Sequence, residues 1–223
     1  MIIDNTQQIK KLIAGCGKDE FYMLQIIHRV KDGHTKYEPQ DKKSREQVIK
    51  TYFVSGPDYL DKKMEEIKDL CQMFNARAMF NLNRKSWKQI SLKSLELMAQ
   101  AIGKEGYEEN WWKPVRSVVE SACGQTGACD KNKTWVLDVD TKDEKELTLV
   151  KGIIDMCEPF DTEKVVDVLP TIHGYHVITR PFNKQKFMCL YETAHKAANE
   201  PFEDIIKDNN PTLLFYDDNN LTS

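Results

Sequence analysis

Long apolar runs are absent from this sequence of 223 residues. A membrane-spanning helix requires about 18 or more consecutive apolar residues, and the mean hydropathy of the chain is only −0.58. The first fifteen residues, MIIDNTQQIKKLIAG, lack the basic start and the apolar core of a secretory signal peptide. We therefore expect a protein without a membrane span that resides in the cytoplasm.

An excess of positive charge is also missing, because 32 Lys and Arg residues stand against 35 Asp and Glu, a formal net charge of −3. Proteins that coat nucleic acid without sequence preference need a strongly basic surface. The composition therefore excludes a general nucleic-acid coat, and any contact with nucleic acid has to be local. Apolar residues at 40% and charged residues at 30% are typical of a globular rather than a disordered chain.

A complete set of metal-binding cysteines is missing as well. Cys123 and Cys129 lie close together in a glycine-rich segment, but no histidine or further cysteine lies nearby. A structural zinc site needs about four ligands, and without a secretory signal the thiols are expected to stay reduced. The sequence therefore favours an ordinary loop over a zinc site at this position.

The hydrophobic pattern divides the chain into two halves with different element orders. Residues 48–102 follow the order β-α-β-α, whereas residues 21–30 suit either a strand or a buried helix. In the second half the pattern predicts strands at 134–140, 165–170, 175–182 and 212–216, and helices at 144–157 and 184–198. That order, β-α-β-β-α-β, is typical of ferredoxin-like or RNA-recognition-like (RRM-like) sheets. We predict an α+β fold in which an N-terminal β-α-β-α unit (1–124) packs on a C-terminal RRM-like sheet (125–223).

Two carboxylates fall on one face of the strand predicted at 134–140. Asp138 and Asp140 are two residues apart, so their Cα atoms lie about 7 Å apart on the same side of the pleat. Like charges on one face repel each other, and a divalent cation relieves this repulsion; oxygen ligands suit Mg²⁺ or Mn²⁺. The alternative is that both aspartates lie at an exposed strand end.

The predicted topology brings distant residues to the same end of this strand. In a split βαβ sheet the strands are ordered 4-1-3-2, so the end of the first strand lies beside the start of the third. His176 starts that third strand, and Asp208 precedes the fourth. We therefore expect Asp138, His176 and Asp208 to meet at one sheet edge. The same geometry disfavours Asp217 and Asp218, which are the alternatives to Asp208 as a third carboxylate beside Asp138 and Asp140.

In this order, these residues resemble the motifs of the archaeo-eukaryotic primase, or primase–polymerase, superfamily. The catalytic core of that family joins an N-terminal α/β unit to an RRM-like unit. LDVD (137–140) is similar to its acidic strand motif, GYH (174–176) to its S-x-H or G-x-H motif, and KDNNPTLL (207–214) to its last acidic motif. Gly174 stands where serine is commoner. By architecture the resemblance covers residues 45–216.

The resemblance implies template-directed nucleotidyl transfer by a primase or polymerase that uses NTPs or dNTPs with Mg²⁺ or Mn²⁺. It implies that Asp138, Asp140 and Asp208 are the metal ligands and that His176, with Gly174 beside it, contacts the nucleotide phosphates. Nucleic acid is the implied partner, together with a helicase or other replication proteins. Stand-alone cores of this kind suit phages and mobile elements. The sequence leaves open whether the template is DNA or RNA, and whether the enzyme starts new chains or only extends them.

Four basic residues are candidates for contact with the nucleic-acid template or the triphosphate: Arg77, Arg84, Lys85 and Arg180. Arg180 shares a strand face with His176, so it is a candidate for nucleotide binding. Arg77 lies on the polar face of its predicted strand. Arg84 and Lys85 lead into a predicted helix whose N-terminus can take a phosphate, although a solvated pair is an equally good interpretation.

Two other classes of function remain open. A replication-initiator nuclease needs a His-hydrophobic-His pair and a catalytic tyrosine on a helix; HGYH (173–176) has the wrong spacing, but Tyr191 lies in the last predicted helix. A catalytically inactive or repurposed nucleic-acid-binding module on the same fold is the non-enzymatic alternative. RNA-recognition sheets carry aromatic residues where this chain carries Asp138 and Asp140, which argues against RNA binding through that face.

Overall fold

The computed structural model describes residues 1–29, 46–103, 117–127, 133–199, 201–207 and 211–218. Within these ranges the protein is a mixed α+β structure with two antiparallel sheets and six helices. None of the described helices combines the length and the apolar character needed to cross a membrane.

The elements are numbered in chain order. The strands are β1 (Ile2–Asp4), β2 (Glu20–Arg29), β3 (Glu46–Val54), β4 (Arg77–Phe80), β5 (Lys85–Ser86), β6 (Trp135–Val139), β7 (Val165–Pro170), β8 (Tyr175–Thr179), β9 (Ile206–Lys207) and β10 (Thr212–Asp217). The helices are α1 (Thr6–Leu12), α2 (Pro57–Phe74), α3 (Trp87–Gly103), α4 (Val118–Gln125), α5 (Glu144–Asp155) and α6 (Lys184–Ala198).

The first sheet has the strand order β1-β10-β4-β2-β3, and the short β5 also pairs with β2. Strand β2, which the sequence left between strand and helix, is nearly continuously apolar because both of its faces are covered. Leu24 and Ile26 pack into the core with α1 and α2, whereas Phe21 and Met23 pack with α3 and α4. The two strands of the predicted β-α-β-α segment are β3 and β4. Strand β2, which precedes that segment in the chain, lies between them and pairs with both.

The second sheet has the order β9-β6-β8-β7 and is covered on both faces. Leu137 and Val177 pack against α5 and α6 on one side. On the other side Val136, Leu169 and Ile178 belong to the same core as the first sheet. The period-2 alternation of β6 predicted these two faces, and it places Asp138 on the side that faces the first sheet.

The predicted place of the last strand is wrong. Residues 212–216 were expected to complete the second sheet, but β10 lies in the first sheet between β1 and β4. Two residues of β9 take the fourth position, beside β6. Every residue of β10 is buried, and a strand of this kind is stable where neighbours cover both its faces and both its edges. The domain boundary near residue 124 stays a prediction.

Asn5 joins the start of the chain to this last strand. Its side chain is fully buried, and Nδ2 donates hydrogen bonds to the carbonyl oxygens of Leu213 (2.8 Å) and Pro170 (3.0 Å). Its backbone N–H donates to the carbonyl oxygen of Leu214 at 2.8 Å. Because Pro170 ends β7, one asparagine satisfies backbone acceptors of both sheets where they meet.

Candidate active site

A cavity of about 130 Å³ lies in the crevice between the two sheets. Asp138, Asp140 and His176 line it from the second sheet, and Arg29 and Arg77 line it from the first. The cavity is smaller than the roughly 300–1,000 Å³ of a pocket that encloses a whole ligand. It therefore has room for a small polar group, such as a phosphate, between an acidic and a basic wall.

Asp138 and His176 are directly opposite each other on neighbouring strands. They form a register pair of β6 and β8, and His176 Nε2 lies 3.3 Å from Asp138 Oδ1. The imidazole is largely buried, whereas the carboxylate is about one-third exposed. The juxtaposition expected from the strand order is therefore present.

The hydrogen bond from His176 holds the pKa of the Asp138 carboxyl below its usual range. Burial acts in the opposite direction, because a charged carboxylate loses hydration inside the protein. The positive charges of Lys207 and Arg29 lower this pKa further. Asp138 is therefore an anion at neutral pH and faces the cavity with its negative charge.

The second ring nitrogen of His176 is held by a residue of the other sheet. Nδ1 lies 2.8 Å from Thr212 Oγ1, and Thr212 is fully buried at the start of β10. Sequence reasoning missed Thr212 because its role depends on the sheet that β10 joins. The only sequence signal was a hydroxyl-bearing residue at the start of an otherwise apolar strand.

Gly174 allows the backbone before β8 to approach the end of β6. A Cβ atom at this position would lie 1.9 Å from the Val139 carbonyl oxygen and 2.6 Å from the Thr141 nitrogen. The turn before it is closed by Thr171, whose N–H donates to the Gly174 carbonyl oxygen and whose Oγ1 accepts from the Gly174 N–H. The absence of a side chain is thus needed for packing beside the two aspartates.

The third carboxylate of the predicted set, Asp208, lies outside the described residues. Asp140 follows β6, is exposed and borders the cavity. Asp217 lies in the first sheet and accepts a hydrogen bond from Gln72; neither it nor Asp218 borders the cavity. Within the described ranges no three His, Cys, Asp or Glu side chains are grouped so that they could hold a metal ion.

Three cations border the cavity: Arg29, Arg77 and Lys207. The Arg77 guanidinium lies 5.5 Å from the centre of the Tyr216 ring, and Arg29 pairs with Glu46 at 2.8 Å. Sequence reasoning named Arg77 as a basic contact, included Lys207 only in the segment that carries Asp208, and missed Arg29. No local pattern separates Arg29 or Lys207 from other surface cations, since only the meeting of two sheets brings them together.

The other three basic candidates lie away from the cavity. Arg84 pairs with Glu20 at 2.8 Å, and the fully buried Lys85 donates through Nζ to the carbonyl oxygen of Thr126. Both lie near the start of β2, about 30 Å along that strand from its cavity end. Arg180 is exposed and lies about 13 Å along the chain from His176.

The N-terminus of α3 is also unavailable as the expected phosphate site. The Asp19 carboxylate accepts hydrogen bonds from the Ser86 hydroxyl (2.6 Å) and the Lys88 N–H (2.9 Å). The Asp19 carbonyl oxygen accepts from the Trp87 N–H at 2.9 Å. A carboxylate of the protein therefore already occupies the position that an external anion would take.

Cys123 has the environment of a buried apolar residue rather than of a metal ligand. It lies in α4 and packs with Phe21 and Ile90. Burial is the main reason why the pKa of its thiol is raised to about 11. Cys129, the other thiol of the pair, lies outside the described residues.

A second cavity, of about 410 Å³, lies on the helix side of β6. Six carboxylates line it: Asp138, Asp140, Asp143, Glu146, Glu203 and Asp204. The Tyr191 hydroxyl donates to Glu146 Oε1 at 2.7 Å, and His195 Nε2 lies 3.3 Å from the same oxygen. Asp138, Asp140 and Lys207 line both cavities, and the other four carboxylates make this side of β6 more acidic than the first cavity.

Comparisons with other proteins identify no relative of this chain. No protein-family model matches it, and the searches of curated proteins and of solved structures also found no match. The side chains that the two sheets bring together are therefore the basis for assigning a function.

We predict that Gly174→Ala destabilises the protein by about 1–3 kcal/mol or more, because the added methyl group would overlap backbone atoms of Val139 and Thr141. Urea denaturation measures this difference. Gly152→Ala is the matched control, since no atom lies within 4 Å of the added methyl group in α5, and alanine favours a helix by up to about 1 kcal/mol. Equal stability of the two variants would contradict the close approach at Gly174.

We predict that His176→Ala raises the pKa of Asp138, because burial remains while the largest lowering interaction is lost. A carboxyl with a lowered folded pKa stabilises the fold above about pH 4, and this stability is lost as pH falls through the folded value. The variant should therefore lose less stability on acidification than the wild type. Carboxyl ¹³C NMR titration measures the shift.

Asp19 is the internal control in the same spectra, because its pKa is lowered by the Ser86 hydroxyl and the Lys88 N–H. It should titrate alike in both proteins. An unchanged Asp138 titration in His176→Ala would show that the histidine does not hold the carboxylate in its charged form.

Proposed function

We propose that this protein is a template-directed nucleotidyltransferase of the primase or polymerase type, using NTPs or dNTPs with Mg²⁺ or Mn²⁺. The observation that carries the proposal is the cavity between the sheets, where Asp138 and Asp140 face Arg29 and Arg77. A metal-bound triphosphate complements this arrangement, because its anionic phosphates suit the arginines and its metal cation suits the aspartates.

The order of the second sheet supports the resemblance on which this proposal draws. The order β9-β6-β8-β7, with helices after β6 and β8, is the order of a split βαβ sheet. We assign this sheet as the RRM-like palm and the first sheet as the N-terminal unit. In this assignment the acidic strand and the G-x-H strand are the central pair, β6 and β8.

The carboxylates of the cavity suit a magnesium or manganese ion that is also bound by the phosphates of the substrate. Mg²⁺ is usually bound by one or two protein carboxylates, with substrate phosphates and water as its other ligands. Asp138 and Asp140 supply two such carboxylates, and Asp208 is the proposed third. The bound metal would lower the barrier to attack by a 3′-hydroxyl and offset phosphate charge.

The basic wall has the chemistry to orient the phosphates. An arginine guanidinium presents a planar fork of donors that matches phosphate oxygens, and such charge-assisted bonds are stronger than neutral ones. Arg77 and Arg29 contribute two of these groups from neighbouring strands, β4 and β2. His176 faces the same space, so the phosphates would lie between the arginines and the metal-binding carboxylates.

The nuclease alternative has less support. Tyr191, its candidate nucleophile, borders the acidic cavity rather than the one between the sheets, and its hydroxyl is bonded to Glu146. Four carboxylates that do not line the cavity between the sheets, Asp143, Glu146, Glu203 and Asp204, surround the acidic cavity and would repel a phosphodiester. The mixed charge of the cavity between the sheets favours nucleotidyl transfer.

We predict that Asp138→Asn and Asp140→Asn each lower Mn²⁺-dependent nucleotide incorporation by at least about 100-fold, the loss expected for one transition-state contact. Primer extension and unprimed synthesis with labelled nucleotides measure the rate. Asp155→Asn, at the exposed end of α5, should retain wild-type activity. If the wild type incorporates no nucleotide on DNA or RNA templates, the protein is not a polymerase, and the inactive module becomes the better description.

We predict that Arg77→Ala weakens binding of Mn²⁺–nucleoside triphosphate by about 10- to 100-fold, the value of a hydrogen bond to a charged group. Isothermal titration calorimetry measures this affinity. Arg180→Ala is the control, since Arg180 is exposed and lies outside the cavity; it should change the affinity less than about twofold. Stronger weakening by Arg180→Ala than by Arg77→Ala would contradict the proposed placement of the phosphates.

A further inference from the structure

We infer that Thr212 is a positioning residue: its hydroxyl fixes the ring orientation of His176 in the proposed site, while the Asp138 carboxylate selects the tautomer. The imidazole lies between two partners, with Nδ1 2.8 Å from Thr212 Oγ1 and Nε2 3.3 Å from Asp138 Oδ1. Thr212 is fully buried, and His176 is 8% exposed. The contact between Thr212 and His176 therefore lies where water does not readily replace it. The effect on catalysis rests on the proposed function, but the tautomer does not.

The two contacts determine which nitrogen carries the proton. An ionised carboxylate only accepts hydrogen bonds, so Nε2 is the nitrogen that donates to Asp138. In a neutral imidazole the other nitrogen is then an acceptor, and the Thr212 hydroxyl is its donor. If the ring becomes charged, Nδ1 donates and the same hydroxyl rotates to accept. The Thr212 hydroxyl can therefore form this hydrogen bond with the neutral ring and with the charged ring.

The same hydrogen bond links the two walls of the cavity. Thr212 pairs with Phe80 across β10 and β4, the strand that carries Arg77. His176 pairs with Asp138 across β8 and β6. The hydroxyl therefore joins β10 to β8, which are the neighbours of the arginine-bearing strand β4 and the carboxylate-bearing strand β6. This contact sets the orientation of His176 relative to both walls.

Valine at this position keeps the branched shape of threonine and removes the hydroxyl, whereas serine keeps the hydroxyl. Imidazole ¹H–¹⁵N spectra of the full chain at about pH 8, where an ordinary histidine is neutral, report the protonated nitrogen and the hydrogen bonding of the other. We expect wild type and Thr212→Ser to show His176 protonated at Nε2 with a hydrogen-bonded Nδ1. Thr212→Val should lose the Nδ1 hydrogen-bond shift.

His28 is the internal control in these spectra. Its Nδ1 lies 3.0 Å from the carbonyl oxygen of Asn75, and a carbonyl only accepts, so His28 should be protonated at Nδ1. Its resonances should be the same in all three proteins, which also shows that Thr212→Val is folded. An unchanged His176 Nδ1 shift in Thr212→Val, or a Thr212→Ser spectrum that matches Thr212→Val, would overturn the inference.

Steady-state kinetics then test the consequence for the proposed site. We expect Thr212→Val to lower kcat/KM for nucleotide incorporation by about 3- to 10-fold, the effect of one neutral hydrogen bond, and Thr212→Ser to stay within about twofold of wild type. An Nδ1 shift without a change in kcat/KM would overturn the positioning role. A wild type with no activity would refute the proposed function, while the spectra would still decide the tautomer.

Discussion

The burial of one strand, β10, holds both the first sheet and the candidate site together. Its six residues are all buried; Leu214 and Phe215 belong to the main core, whereas Leu213 and Tyr216 belong to a smaller cluster. The strand separates β1 from β4 and satisfies their backbone groups. Its first residue, Thr212, reaches across to His176. The same burial that completes the sheet therefore places a hydroxyl at the site.

Local charge, rather than net charge, gives the crevice its chemical character. The whole chain is mildly acidic, with a net charge of −3, yet cations and carboxylates face each other across one small cavity. Asp138 stays ionised there because a hydrogen bond from His176 outweighs the cost of burial. On the other side of β6 the lining is strongly acidic. Asp138 and Asp140 line both cavities, and the arginines are found only on the side that faces the first sheet.

Several features could be predicted because they depend on neighbouring residues alone. The strand at 165–170 and the helix at 184–198 have the predicted bounds, since hydrophobic period and capping residues act over a few positions. The alternation along β6 correctly placed Asp138 on the face of the strand that points away from the core formed with α5 and α6. Its pairing with His176 followed from the strand order. The cations Arg29 and Lys207 had no such signal, because they come from separate elements.

The sequence by itself determined most helices and the longer strands apart from β2, and also which side of β6 carries the aspartates, because these properties follow from local periodicity. It did not identify the short strands β1, β5 and β9. Only the tertiary structure decided that β10 joins the first sheet, that Arg77 faces Asp138 and that Arg84 and Lys85 lie far away. Apolar periodicity shows that a strand must be buried, but it does not say against which partner. That choice is made by the combined burial of elements far apart in the chain, and the cavity exists only where those elements meet.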